Sequence, residues 1–424
     1  MFKAMNEAVD WIEHAKRFTE KTDLTRMNAI CERLGHPERA FRSVHVAGTN
    51  GKGSTCNYIK NILQCAGYRT GIYTSPYVVC INERIGIDDD YISDEDFLKY
   101  ANFLKDLWDA YFAETGDSIT FFEILTLMAF LYYRDKKIDI AVIEVGIGGL
   151  LDATNVIVPE ASVITNISFD HMKQLGNTLE SIAMNKLGIV KDGVPLVTSE
   201  ANPSLVPQFE RAAEDHESRF VPVDEGKITR VQIGETTTFC YRTKPYSLRL
   251  TGAHQVKNAC LAIETVKTLQ EEKKIRLTER NIVNGLARTS WPGRFEIFDH
   301  RIILDGGHNP GAIATVRQTV KTVFPGKYVK CLFAMMKDKD HRTVQDELTE
   351  FVDELHLTQL DYPRCTPASE LFAESPHPKK YLHPNAEDAF RYLRKNLGEN
   401  EILLVCGSLY LISDIRKLLV PPAK

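Results

Sequence analysis

The chain has 424 residues, 43% of them hydrophobic and 26% charged, with a formal net charge of -5. That length supports two domains with a core in each, and a mildly acidic chain without a long basic run excludes nucleic acid and anionic membranes as natural partners. Nine cysteines stand singly, with no C-x-x-C pair, which is the usage of a reducing compartment and places the protein in the cytoplasm.

The N-terminal stretch "MFKAMNEAVDWIEHAKRF" alternates charged and apolar residues at helical spacing and has no signal-peptide apolar core. Arg42–Ala47 reads as a strand leading into "GTNGKGS", and Ser54–Ala66 as a helix stopped by Gly67. Thr70–Thr74 is a second strand. After it, "SPYVVCINERIGIDDD" reads as a loop of about 15 residues, a length that a compact domain keeps for function. Asp94–Phe112 carries Phe97, Tyr100, Phe103, Leu104, Leu107, Trp108 and Tyr111 at helical spacing. Phe121–Tyr133 is an apolar run of 13 residues with Glu123 inside it, too short for a bilayer and read as a buried helix. Ile138–Val145 and Ala161–Ile167 are apolar runs of strand length. This alternation predicts an α/β fold, a parallel sheet covered by helices.

A second unit starts near Phe295. "RIILDGGHNPGAIATVRQTV" repeats the order strand, glycine turn, helix, and "YVKCLFAMMKDKD", "ELHLTQL" and "EILLVCGSLYL" supply further strands. Pro292 and Gly293 in "SWPGRFE" mark the hinge, so the expected domains are 1–294 and 295–424.

The chemistry concentrates where strands end. A glycine turn between a strand and a helix aims backbone N–H groups at one point, and the helix dipole adds positive potential. Asn50, Gly51 and Gly53 belong to that turn, Lys52 adds a full charge for phosphates, and Ser54 or Thr55 is placed to reach a metal ion. The pattern departs from G-x-x-x-x-G-K-[ST], because Gly53 separates Lys52 from Ser54; a plain tight turn is the alternative. Glu144 ends an apolar strand, where a carboxylate is either a ligand at the sheet's carboxyl edge or a helix cap. Ser75 also follows a strand, and His171 follows "TNISFD". Lys186, in "SIAMNKLGIVK", reads from its own surroundings as an exposed helix lysine. Asp305 in "LDGGHNP" sits in a turn suited to a phosphate or a ribose.

"GTNGKGS" with its extra glycine resembles the ATP loop of the Mur ligase superfamily. The resemblance narrows to the folylpolyglutamate synthase (FPGS)/dihydrofolate synthase family through "YTSPYVVCINERI", "EVGIGGLLDATNV", "ITNISFDHMKQLGNTLESIAMNKLGIVK", "HQVKNACLA", "WPGRFE", "LDGGHNP" and "CGSLYL", which occur in family order along most of the chain. It implies a P-loop ATPase-type sheet with flanking helices, plus a smaller Rossmann-like C-terminal domain. It also implies an ATP-dependent ligase that adds L-glutamate to the γ-carboxylate of a folate through an acyl phosphate, with dihydropteroate as a second acceptor in bifunctional members.

By the same resemblance, Asn50, Gly51, Lys52, Gly53, Ser54, Asn258, Arg294 and Asp305 bind ATP. Ser75, Glu144 and His171 hold magnesium, and Lys186 is carbamylated to serve a second magnesium ion. A buried lysine suits that reaction, since desolvation frees its amine to take up CO₂. Arg294 in the hinge would reach the phosphates on domain closure. His308 either places the incoming glutamate or is a plain turn residue. Tyr77 borders the folate site, Arg84 is a partner for a folate carboxylate or for the metal-site loop, and the family's state is monomeric. Tyr77 stands where many relatives have histidine, Leu150 where many have a basic residue, and Asn185 where many have an acidic one. A cell-wall Mur ligase, the nearest alternative, carries a UDP-binding domain ahead of the ATP loop, whereas 47 residues precede Gly48 here. A GTPase-like switch, the alternative from another class, needs an N-K-x-D segment, and none is present.

Overall fold

The computed structural model describes residues 1–16 and 23–420. Arg17 and Phe18, which close the N-terminal helical stretch, lie outside the described residues. Two compact units interleave in sequence: Met1–Glu225 with Lys257–Arg288, and Gly226–Val256 with Thr289–Lys424. The expected split at 294 is linear, and these units are not, because residues 226–256 join the second one.

The first unit is built on eight strands: β1 (Arg42–Ala47), β2 (Thr70–Tyr73), β3 (Ile85–Ile87), β4 (Asp90–Tyr91), β5 (Ile140–Glu144), β6 (Ala161–Ile164), β7 (Leu196–Thr198) and β8 (Phe220–Pro222). Their order is β4-β3-β2-β5-β1-β6-β7-β8. β2, β5, β1, β6, β7 and β8 run parallel, and β3 and β4 return antiparallel at one edge. β5 and β6 are buried at every position, as expected of strands covered on both faces. One face packs Tyr73, Phe97, Leu127, Phe130 and Ile143; a second cluster gathers Ile164, Ile182, Leu196 and Phe209. Each such side chain contributes about 1.5–3 kcal/mol of apolar burial.

The helix Phe121–Lys136 shows why a carboxylate sits in an apolar run. Thr120 and Glu123 form a reciprocal cap, the Thr120 N–H donating to Glu123 Oε2 at 2.8 Å. Arg26 Nε also donates to Glu123 Oε2 at 3.1 Å, so the charge is paired where burial alone would be costly. The segment after β2 is more ordered than its sequence suggests. A 3₁₀ turn, Ile81–Arg84, is closed by Glu83, whose carboxylate accepts from the Val78, Val79 and Cys80 N–H groups at 2.7, 3.0 and 3.3 Å. β3 then returns along β2, so only part of the expected loop is irregular.

The second unit holds two sheets. β9 (Ile228–Gln232), β10 (Thr237–Tyr241) and β11 (Lys244–Leu248) form an antiparallel sheet. β10 and β11 are joined by Arg242 and Thr243, at φ 45° and 74°. Two positive φ values fit a two-residue hairpin, yet no glycine or asparagine announces it. The larger sheet contains β12 (Glu296–Phe298), β13 (Ile302–Leu304), β14 (Tyr328–Phe333), β15 (Glu354–Leu357), β16 (Lys380–Leu382) and β17 (Glu401–Cys406), in the order β12-β13-β17-β14-β15-β16. Only β12 is antiparallel to its neighbour. "EILLVCGSLYL" is a strand only to Cys406: Ser408 caps the helix Leu409–Leu419, its side chain accepting from the Tyr410 N–H.

Candidate active site

β2, β5, β1 and β6 are consecutive in the first sheet. The residues that follow their carboxyl ends are therefore neighbours, at the edge where open α/β sheets bind ligands. Ser75 follows β2, Glu144 ends β5, Gly48–Gly51 follow β1, and Thr165–His171 follow β6.

The helix after β1 spans Lys52–Cys65, starting two residues earlier than expected, so Lys52 is its first residue. Gly51 precedes it at φ 86°, and a Cβ there would strike the Asn258 side-chain oxygen. Only glycine allows both the turn and that approach. Gly51 at the N-cap has no side chain to cap this helix, and a helix N-terminus directs N–H groups and positive potential at an anion. The loop is held from β6: Thr165 Oγ1 and Asn166 Nδ2 donate to the Asn50 carbonyl at 2.7 and 2.9 Å. The Asn50 N–H donates to Asn166 Oδ1 at 3.1 Å. Lys52 Nζ folds back to the Gly48 and Thr49 carbonyls, both at 3.1 Å. Gly53 and Ser54 are buried in the first turn.

Lys186 is not an exposed helix lysine. It lies on the helix Leu179–Leu187 with 4% exposure, and its Nζ donates to the Gly48 carbonyl at 2.8 Å. Two lysines thus converge on one oxygen. Burial, and then the charge of Lys52, lower the Lys186 pKa from 10.5 to about 7, against the pull of Asp170 and Asp152. The approach depends on the glycines after β5: a Cβ on Gly149 would lie 2.8 Å from the carbonyl oxygens of Asn185 and Lys186.

Glu144 is buried, and its Oε2 accepts from the Ser75 N–H at 3.0 Å. This brings together two of the three expected metal ligands. The third, His171, has a left-handed backbone at φ 50°, and its N–H donates to Asp170 Oδ1 at 2.9 Å. Its ring is 30% exposed, with Nε2 3.9 Å from that carboxylate. The loop bearing it is tied to the phosphate loop, since Thr49 Oγ1 donates to the Ser168 carbonyl at 3.1 Å.

Tyr77 and Arg84 also meet. The buried Arg84 guanidinium lies over the Tyr77 ring at 5.5 Å and the Phe121 ring at 5.2 Å, while the Tyr77 hydroxyl donates to Glu13 Oε1 at 3.1 Å. Asp152 escaped the sequence reading. Its Oδ2 accepts from the Gly146 and Ile147 N–H groups at 3.1 and 3.0 Å, and its Oδ1 from the Thr154 N–H and hydroxyl at 3.0 and 2.6 Å. Since Thr154 gives its proton to Asp152, the buried His45 Nε2 at 2.8 Å must be the donor to Thr154. The available signal was an aspartate able to bond the backbone two residues on, as in an Asx turn.

The remaining expected residues belong to the second unit, except Asn258, which stands against Gly51 in the first. Asp305 follows β13. Its Oδ2 accepts from the Phe295 N–H at 2.9 Å and its Oδ1 from the Gly307 N–H at 2.7 Å. Burial raises its pKa, opposed by the Arg294 charge and these two N–H groups. The Arg294 charge lies close enough to Asp305 and to His254 to act on both. Beside it the half-buried His254 is held neutral, its pKa lowered to about 4 by desolvation and then by Arg294. The His308 Nδ1–H donates to the Gly306 carbonyl at 2.9 Å, because a carbonyl can only accept.

The Mur ligase middle domain matches residues 46–266, and the Mur ligase, glutamate ligase domain matches residues 293–409. The chain is 37% identical over 429 residues to the dihydrofolate synthase/folylpolyglutamate synthase of Bacillus subtilis (strain 168), covering 99% of this chain and 100% of that protein. Among solved structures, an FPGS–AMPPCP–folate complex has a TM-score of 0.85 at 30% identity, covering 98% of this chain and 100% of that one. Escherichia coli FolC in complex with DHPP and ADP has a TM-score of 0.86 at 26% identity, covering 98% of each.

Proposed function

The chain belongs to the Mur ligase family, in its dihydrofolate synthase/folylpolyglutamate synthase group, and from that membership we propose that it is an ATP-dependent ligase joining L-glutamate to the γ-carboxylate of a (tetrahydro)folate. Dihydropteroate is its second acceptor. One arrangement carries the reading: Lys52 and the buried Lys186 converge on the Gly48 carbonyl beside an uncapped helix N-terminus. That is a preformed anion site with its own positive charge. Relatives solved with AMPPCP and folate, and with DHPP and ADP, support nucleotide and pterin substrates for it.

The acceptor carboxylate attacks the γ-phosphorus of ATP and ADP leaves. The glutamate amine then attacks the carbonyl carbon of the acyl phosphate, and inorganic phosphate leaves with the amide formed. Lys52 exchanges its two loop carbonyls for the phosphate oxygens, where its charge and the N–H groups of the first helical turn offset the charge that builds up. Asn258, held against Gly51, positions that turn. Arg294 supplies a second cation for the phosphates, and Asp305 serves the nucleotide. His308, oriented by its Nδ1–H bond to the Gly306 carbonyl, places the incoming glutamate. Tyr77 and Arg84 border the folate.

The Glu144 carboxylate is held beside Ser75 by that residue's main-chain N–H, and a carboxylate with a serine hydroxyl is a hard oxygen donor set that fits magnesium. With His171 they would hold an ion whose charge neutralises the phosphates. A lysine with a pKa near 7 has much of its amine neutral. That amine adds to CO₂, releasing one proton and leaving a carbamate whose N–H can keep the Gly48 bond. The carbamate oxygens would serve a second magnesium ion. No helix among the described residues is long and apolar enough to cross a membrane, and all nine cysteines are free. Free thiols suit a cytoplasmic protein, and the monomeric state is carried over from the family resemblance.

Phosphate release from ATP decides the reaction. It should require an acceptor and L-glutamate together, and nucleotide hydrolysis indifferent to both would remove the proposal. Dihydropteroate and tetrahydrofolate, compared as acceptors, measure the two activities separately.

A further inference from the structure

We propose that His341, Gln345, Glu370 and Glu374, in the second unit, form a site for a divalent transition-metal ion of the zinc class, outside the residues assigned to ligation. His341 opens the helix His341–Thr349, and Glu370 and Glu374 lie one turn apart on the helix Ala368–Glu374. One ligand atom from each of these three residues lies within 4.8 Å of the others, and His341 Nδ1 is 3.4 Å from Glu374 Oε2.

The proton on His341 is fixed from outside the cluster. Its Nε2 is 2.9 Å from the Met336 carbonyl, which can only accept, so Nε2 carries the hydrogen. Met336 is itself held by an antiparallel bridge to Cys365. Nδ1 is therefore the nitrogen turned toward Glu374, a contact that a proton or a metal cation between the two would stabilise. A histidine that donates one ring N–H to a backbone carbonyl while offering the other nitrogen is the usual environment of a metal ligand.

Gln345 is an independent observation. It is fully buried, and neither its Oε1 nor its Nε2 has a hydrogen-bond partner among the described residues. Buried amides without partners are rare, because desolvation is uncompensated. It stands four residues after His341, on the same helical face, and helical side chains lean toward the N-terminus. Its amide oxygen is the fourth ligand proposed, which would give that buried group the partner it lacks.

One imidazole nitrogen with carboxylate and amide oxygens suits zinc, whereas magnesium prefers oxygen alone. The carboxylates have freedom to close in, since Glu370 is exposed and the Glu374 side chain is 42% exposed. Arg342 donates to the Glu374 main-chain carbonyl at 3.1 Å and pairs with Asp346, which leaves the Glu374 carboxylate for the ion.

The test is zinc titration of the chelator-stripped full-length protein against a chromogenic chelator, with excess magnesium and AMPPCP occupying the other anion and metal positions. Glu370→Gln/Glu374→Gln should lose one zinc equivalent, or weaken it at least tenfold, and lose the zinc-dependent rise in Tm. Ligation should be unchanged. Glu370→Gln alone, at an exposed position, should show a smaller loss and guards against misfolding of the pair. Equal zinc binding by the parent and the double variant would overturn the site and leave an imidazolium–carboxylate ion pair in its place.

Discussion

Lys186 offers the sharpest test of the candidate active site, because its burial makes opposite demands on different substitutions. A fall in pKa from 10.5 to about 7 penalises the charged form by about 5 kcal/mol. Lys186→Arg places a permanent charge there and should carry a penalty of that order, with a lower Tm and no ligation. Lys186→Met keeps the length without the charge. It should fold at least as stably at neutral pH, yet lose roughly 10²–10³-fold in turnover if the amine or its carbamate stabilises transferring phosphate. In Lys186→Ala, which vacates the site, added acetate should restore part of the rate by supplying the missing oxygens.

The pH dependence has a definite sign. Between pH 7 and 10.5 the unfolded lysine binds a proton that the folded one does not, so this group makes stability rise with pH. The Tm advantage of Lys186→Met over the parent, measured by calorimetry in CO₂-free buffer, should be constant below about pH 7. It should shrink steadily toward 10.5. A constant gap across that window, or Lys186→Arg with full turnover and an unchanged Tm, would refute the assignment.

Lys52→Ala should cost roughly 10²–10³-fold in ligation with an unaltered circular dichroism spectrum; near-normal turnover in the folded variant removes Lys52 from the mechanism. The same change removes a repulsive neighbour, so the Lys186 pKa should rise, as an NMR titration of its side chain would report. Glu144→Gln should raise the magnesium concentration needed for half-maximal rate at saturating folate and glutamate, because an amide oxygen is a weaker ligand for a hard cation. An unchanged midpoint would leave Glu144 as the anchor of Ser75 alone. Buried His45, with its pKa lowered to about 3, and His254 and His356, lowered to about 4, are neutral in the fold and usually titrate near 6.5. Their contribution to stability is complete above pH 6.5 and lost as the pH falls toward 3–4, and a Tm that stays flat across that window contradicts it.

The parts legible in the sequence are those that local chemistry dictates. Apolar runs of strand length ending in glycine turns announced β1, β5, β13 and β17, because a parallel strand buried on both faces leaves no polar alternation. The "GTNGKGS" loop and "LDGGHNP" were visible for the same reason: the turn itself demands particular residues. Lys186 was different. On its helix it reads as a solvated lysine, and its burial depends on Gly149 letting the helix backbone approach, a contact between segments about 40 residues apart. Asp152 was hidden because its worth lies in four bonds to a folded loop. The β10–β11 hairpin turns on Arg242 and Thr243 at positive φ, where no residue type signals it and packing alone imposes the conformation. Residues 226–256 are separated from the rest of the second unit by Lys257–Arg288. Sequence periodicity is blind to such an association, because it records which face of an element is apolar and not which distant face will cover it.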